Sequence, residues 1–468
     1  MAALATVTVF LTLAGGLASL GLQERNLYLR QTAENQALHI AEAGVNYYRW
    51  HLAHAEGDFF DGTGADPDGI PPNGPYLHTY ISSSGDLRGV FSLEITEPVV
   101  GSTITTIKST GWTDEFPQIK KIITVKYGIP SLAHYSLLTN SDVWFGDNES
   151  IRGEMHSNGG VRMDGTNDSM VTSARSVYDC GPRHGCNSTN CNSPCTWDDI
   201  NLNCECPGTW GGGPDYSLWN FPVLNIDFNS ITMDMAEIKS EAQDSGVYLG
   251  SQGKGLHIIF QSDGTFDVYK ITQLNSSIWQ FNDTWGGWEK IEEEINNESL
   301  IANYAIPANG LIFVEDDVWV EGTVNGRVTL ASGELPDNPS KRTIIHINDN
   351  INYLTRDGTH ILGLIAQKHI KVPRHAPTDL TIDAIMLAQN GRVFRNYYET
   401  HAIKNSIEVY GGIITNQTWT WAWVNGSGDT TDGYDYTTSI YDSDATFAAP
   451  PYFPTTGEYA VITWEESQ

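Results

Sequence analysis

Six cysteines, Cys180, Cys186, Cys191, Cys195, Cys204 and Cys206, fall in one Gly-, Asn- and Pro-rich stretch, and the chain has no others. Cysteine does two kinds of chemistry at such density: it ligates a metal as thiolate, or it closes disulfides. Metal sites favour close C-x-x-C pairs with histidine partners. No C-x-x-C occurs here and only His184 stands nearby. An even set in one loop reads instead as a local disulfide knot made in an oxidising compartment, with its pairing left open. The absence of C-x-x-C-H excludes covalently attached haem.

Three further patterns invite chemistry. Asp61, Asp66 and Asp68 bring the oxygen density of a calcium loop, but their spacing matches no EF-hand, and a solvated turn is the preferred reading. Calcium is the one cofactor the sequence leaves open. Glycosylation sequons begin at Asn148, Asn167, Asn187, Asn275, Asn282, Asn297, Asn416 and Asn425. Trp419, Trp421 and Trp423 alternate at strand period, which would set all three on one side, for packing by preference or for stacking on sugars.

Catalysis finds little support in the chain. Its 57 Asp and Glu make any carboxylate pair nominable and none specific. His134, His156, His346 and His369 sit in strand-like runs or beside glycine corners, where a packed histidine is the usual case. No G-x-S-x-G, H-E-x-x-H or Walker motif occurs. The chain therefore reads as non-enzymatic, without catalytic residues. A net charge of −31 argues against a nucleic-acid partner, because phosphate binding needs clustered Lys and Arg.

The elements behind these residues begin with a bare apolar run. No ionisable side chain occurs from Met1 to Gln23, and the first is Glu24. Such a run matches the ~20 apolar residues that a membrane-crossing helix takes. The missing basic flank implies a leader already removed. No proline interrupts the chain before Pro67, and Leu27, Arg30, Glu34, Ala37, Ile40, Ala41 and Tyr48 fall near helical spacing. One helix over 1–56 is predicted, greasy first and amphipathic later. Met1, Ala5, Leu11, Gly15, Gly16, Leu17 and Glu24 mark its candidate assembly surface, where small residues would let neighbouring helices approach closely.

This apolar start, the amphipathic continuation and the AEAG motif at Ala41, Glu42, Ala43 and Gly44, followed by Val45, Asn46 and Tyr47, resemble type IV pilin-like proteins, and among them the PilX-type minor pilins. The resemblance covers residues 1 to about 128. It implies cleavage by a prepilin peptidase, an anchor in the inner membrane, pilus assembly machinery as partner, and packing with its own copies or other pilins in an extracellular filament. One position departs from the pattern: most major pilins carry glutamate at mature position five, where this chain has Ala5. A pilus-tip or membrane-anchored adhesin is the alternative.

At 468 residues the chain has room for several domains. Residues 57–128 read as a pilin-like antiparallel sheet, with strands over Val90–Ile95, Ser102–Ser109 and Lys120–Tyr127. Residues 129–468 read as a large all-β domain of short strands between glycine corners, a β-solenoid with a β-sandwich as alternative. GEMHSNGGVRMDG, VWVEGTVNGRVTL and EVYGGIITN each place strand, corner and strand, and the HSNG of His156–Gly159 resembles stretches attached to PilX-type N-termini. A Cys-rich insertion over 172–215 and an acidic helix-like patch over Glu289–Leu300 interrupt the coils. The fold class expected is α+β.

Overall fold

The computed structural model describes residues 2–55, 57–62, 74–86, 88–98, 104–228, 235–282, 286–399, 402–425, 429–446, 448–455 and 459–467; the side chains of residues 1–12 and 14 lie outside that description. The chain is α+β and divides into two compact units, one built from both ends of the sequence and one from its middle.

The first unit is a long helix with a small antiparallel sheet. The helix α1 runs without a break from Ala2 to His54. Its strands are β1 (Tyr76–Ile81), β2 (Arg88–Thr96), β3 (Thr105–Thr113) and β4 (Lys121–Gly128), joined in sequence order. Alternation puts Phe91, Leu93, Ile95, Ile107, Ile123 and Val125 on one buried face. Against it α1 lays Ala37, Ile40, Ala41, Val45, Tyr48 and Leu52, the i, i+3, i+4 stripe of an amphipathic helix.

A fifth strand corrects the expected boundary. Ala460–Ser467 pairs antiparallel with β4, from Ala460 opposite Gly128 to Ser467 opposite Ile122, so the last strand joins the sheet of the first unit. Tyr459 stacks on Tyr127 at 5.4 Å. The 129–468 domain of the sequence reading therefore ends early. Local pattern could not show this, because pairing partners so far apart leave no mark on either segment.

The second unit is all-β, and most of its strands stack in parallel, where a sandwich would pair them antiparallel. One ladder passes through Val247–Leu249, Leu311–Val314, Arg327–Ser332, Ile361–Ala366, Asp379–Ala388 and Ile403–Thr415. It continues through Leu137–Thr139, Met155–Ser157 and Val171–Ser173, so the earliest strands lie beyond the later ones. Equivalent positions line up into columns. Ile312, Leu330, Leu364, Met386, Ile413, Leu137, Met155 and Val171 form one, all buried.

Hydroxyls mark the corners. Ser332, Thr415, Thr139, Ser157 and Ser173 align one above another, and Ser332 donates to Asp316 O at 2.8 Å, Ser157 to Ser141 O at 2.9 Å and Ser173 to Gly159 O at 2.7 Å. Each turn's carbonyl is thus satisfied where the strand stops. The acidic patch over Glu289–Leu300 is strand rather than helix: Gly287–Ile291 pairs with Ile278–Asn282, and Ile295–Ala305 pairs with Thr265–Leu274. Cross-strand partners overrode its helix-forming composition.

Candidate functional site

The N-terminal helix changes character midway. Its second half rests on the sheet through small residues. A Cβ on Gly111 would lie 2.4 Å from Ala37 O, and one on Gly44 would lie 2.3 Å from Ser109 Oγ. The AEAG motif is therefore a close-packing device: Ala41 is fully buried, Gly44 admits the sheet, and Glu42 faces outward with its carboxylate 3.0 Å from His39 Nδ1. Among the described side chains, the first half carries an exposed apolar surface within its unit. Leu13, Leu17, Leu20, Leu22, Leu27 and Tyr28 are exposed, Leu17 to 70%. Gly15 and Gly16 stand in open space, and Glu24 is exposed. Met1, Ala5 and Leu11 lie outside the described side chains. Among the described residues no helix is long and apolar enough to cross a membrane. The bilayer-spanning expectation rests on the apolar run, most of whose side chains fall outside that set.

The six cysteines form three disulfides, Cys180–Cys186, Cys191–Cys204 and Cys195–Cys206. They pin a three-stranded sheet of Val177–Cys180, Asn203–Pro207 and Thr196–Asp198. Every sulfur is bonded to another, so the metal alternative loses its donors here. A neighbouring platform ties this insertion to the coils. The Arg162 guanidinium lies 4.3 Å from the Trp144 ring centre and 5.1 Å from that of Trp210, bonds Asp164 at 2.7 Å and donates to His184 O at 2.7 Å.

The calcium expectation meets a different partner at its first residue. Asp61 Oδ2 lies 2.6 Å from His78 Nε2, an arrangement that suits a carboxylate–imidazole pair. Beside it, Asp58 accepts from the backbone N–H groups of Phe60 and Gly62, both at 2.9 Å. Asp66 and Asp68 lie outside the described residues.

The sequons differ in what their amides do. Asn167 is buried, donates to Ser169 O at 3.0 Å and accepts from Trp219 at 3.2 Å. Asn275 donates to Glu294, Asn282 to Glu289, Asn297 to Gln273, Asn416 to Gln389 O and Asn425 to Asp429. Asn148 and Asn187 are exposed, and Asn187 Oδ1 accepts from the Thr189 N–H at 2.9 Å and from its hydroxyl at 2.6 Å.

The tryptophan stripe does not point one way. Trp419 and Trp421 are buried, in edge contact at 6.1 Å, and Trp419 packs on Phe145 at 5.0 Å. Trp423 is only half-buried and turns to Tyr397 at 5.6 Å. A regular strand here is confined to Ala422–Val424, and the chain bends at Trp421, which breaks the strict alternation.

Titratable groups gather on one ladder. His257, Trp319, His346, Lys371 and Phe394 occupy equivalent positions on successive strands. His346 stacks on Trp319 at 4.2 Å and 9°, and burial drives its pKa well down. Over this column sits Glu293, whose carboxyl is raised by burial. It accepts from the Arg374 N–H and Asn396 Nδ2, each at 3.2 Å, and from the Tyr398 hydroxyl, while its carbonyl accepts from Trp319 Nε1 at 2.7 Å. Arg395 and Asp432, both fully buried, pair at 3.1 Å. Such a network rigidifies a core. A cleft of about 450 Å³ beside Arg152, Asp168 and Asp215 shares no residue with it. His134, His156 and His369 are likewise held by internal bonds, to Ser131 O at 2.8 Å, to Thr172 and Asn158 at 2.9 and 3.0 Å, and from the Arg392 N–H at 3.0 Å.

Sequence reasoning passed over the aromatic residues Trp279, Phe281 and Trp288. Their signal is the alternation in IWQFN and GWEKI, which places them on one face of the hairpin Ile278–Ile291.

No protein-family profile matches the chain, and no curated protein matches it. Among solved structures it is similar to the competence-associated pilin ComZ from Thermus thermophilus, at 14% identity and a TM-score of 0.29, over 93% of this chain and 98% of that one.

Proposed function

We propose that this chain is a structural subunit of a type IV pilus-like extracellular filament, assembled through its N-terminal helix. The observation that carries the proposal is the split of α1 into a half packed on its own sheet and a half whose leucines, among the described side chains, are exposed within their unit. A stripe of exposed leucines on a helix must be covered, and a bundle of like helices hides it at little cost when glycine and alanine allow close approach. Before assembly the inner membrane would take that role, with a prepilin peptidase and the pilus assembly machinery as partners. The acidic outer surface, at net −31 for the chain, would then repel its copies at low salt. In this reading the chain is structural rather than catalytic, and the Glu293 cluster serves the packing of the coils.

A tip-located or surface-anchored adhesin is the second reading. Imaging of purified filaments separates the two: a repeating array of this chain supports the first, and a single copy at an end supports the second. Leu17→Glu is expected to abolish filaments while leaving the all-β unit folded. Polymerisation by a chain starting after residue 56 would overturn helix-driven assembly.

A further inference from the structure

The hairpin Ile278–Asn282 with Gly287–Ile291 gains a third edge from residues 397–399. Phe281 N–H donates to Tyr397 O at 2.8 Å, Glu399 N–H donates to Trp279 O at 3.0 Å, and Gln280 bridges Tyr398 in antiparallel sense. Alternation then sorts the side chains of this miniature sheet by face. Gln280, Glu289 and Tyr398 share the side of the Glu289 and Glu293 hydrogen bonds. Trp279, Phe281, Trp288, Lys290, Tyr397 and Glu399 share the other. On that second face the rings touch in sequence: Phe281 meets Trp288 at 5.7 Å, Trp288 stacks on Tyr397 at 5.8 Å and 28°, and Tyr397 meets Trp423 at 5.6 Å. Lys290 lies over Trp279, 5.3 Å from the ring centre.

Two of these tryptophans are open, Trp279 to 37% and Trp288 to 39%. Indoles held by backbone bonds lose little freedom when something docks on them. We propose that this face binds a neutral hexopyranose glycan, with its sugar rings laid on Trp279 and Trp288 and its hydroxyls reaching Lys290 and Glu399. Pyranose rings present apolar C–H faces between rims of hydroxyl groups, which matches aromatic ring faces bordered by one cation and one carboxylate. Size selects this occupant over a protein. The open surface of the two indoles is on the order of 200 Å², well short of the roughly 800 Å² per partner of a stable protein interface. Charge selects a neutral glycan over an acidic one, because the rim charges cancel within a chain at net −31. The inference is independent of filament assembly, since it requires only the second unit of the chain.

Calorimetric titration of the full chain, held in mild detergent, with cellotetraose, mannotetraose and N-acetylchitotetraose tests the site. At least one is expected to bind, and both Trp279→Ala and Trp288→Ala are expected to weaken that binding at least tenfold. Trp464→Ala, an equally exposed tryptophan of the other unit, is expected to leave it unchanged. Lys290→Ala keeps every ring in place and is expected to weaken binding a few-fold, which separates loss of the site from loss of the hairpin's fold. No binding of any of the three sugars overturns the proposal. So does binding that the tryptophan and lysine variants leave intact, or self-association of the wild-type chain that Trp288→Ala abolishes.

Discussion

In the helix-and-sheet unit one stripe of α1 meets one face of one sheet, and the fit is set by two glycines: Gly111, where sheet backbone touches helix backbone, and Gly44, where the helix backbone meets the Ser109 and Phe91 side chains. In the coiled unit each buried side chain instead packs on its equivalents in the strands before and after, as Leu364 does between Leu330 and Met386. The first arrangement concentrates its tolerance in a few contacts. The second spreads it over a column, where every member has neighbours of the same kind. A lesion in the first should therefore act on the whole unit, and a lesion in the second should stay graded.

The largest effect is expected from Gly111→Leu. Its Cβ would sit 2.4 Å from both Ala37 O and Ala41 N, helix backbone that cannot give way. Separation of α1 from the sheet, at a cost above about 3 kcal/mol, should appear as fast hydrogen exchange over residues 33–52, with exchange over 361–388 unchanged. Equal loss in both units would break the contrast. Leu364→Ala should cost about 2–5 kcal/mol in the coiled unit alone, read from denaturant midpoints. A smaller, local loss is expected from the double change Cys195→Ser and Cys206→Ser, which opens a disulfide of sequence separation 11. It should cost about 2–3 kcal/mol, and limited proteolysis should then cut within residues 181–203 while the coils melt as before.

The smallest effect sharpens the comparison inside the coils. Burial holds the Glu293 carboxyl above its ordinary value of 4.5. The folded chain therefore binds that proton more tightly than the unfolded chain, so this group's contribution is greatest below about pH 4.5 and falls as pH rises through the folded value. Glu293→Gln should remove that decline, seen as a flatter difference in urea midpoints between about pH 4 and pH 8.

Much of this architecture was legible from residue pattern. The helical spacing from Leu27 to Tyr48 and the period-two run at Val90–Ile95 announce their elements, because their partners are generic: any apolar face will do. Glycine-cornered phrases such as VWVEGTVNGRVTL likewise mark strand, corner and strand. Three features were not legible. Glu289–Leu300 has helix-forming composition yet lies in strands, since pairing with Thr265–Leu274 and Ile278–Asn282 outweighs intrinsic preference. Trp419, Trp421 and Trp423 look equivalent in sequence, but a bend at Trp421 separates two core residues from a half-buried one. The aromatic face of the hairpin needs Tyr397 and Trp423, far along the chain, before it exists at all.

The sequence by itself determined the bare apolar helix start, the placing of the AEAG motif on that helix, the acidic composition and the confinement of all cysteines to one insertion. Each depends on composition or on contacts a few residues apart, which short-range periodicity records. The tertiary structure alone decided the disulfide pairing, the return of Ala460–Ser467 to the first sheet, the stacking of Leu137–Thr139 beyond Ile403–Thr415, and which tryptophans face water. The disulfides are chosen among cysteines 6 to 13 residues apart that spacing alone leaves equivalent, and the two strand pairings are made between segments hundreds of residues apart, where many pairings satisfy the same local pattern and only the register of the whole ladder selects one.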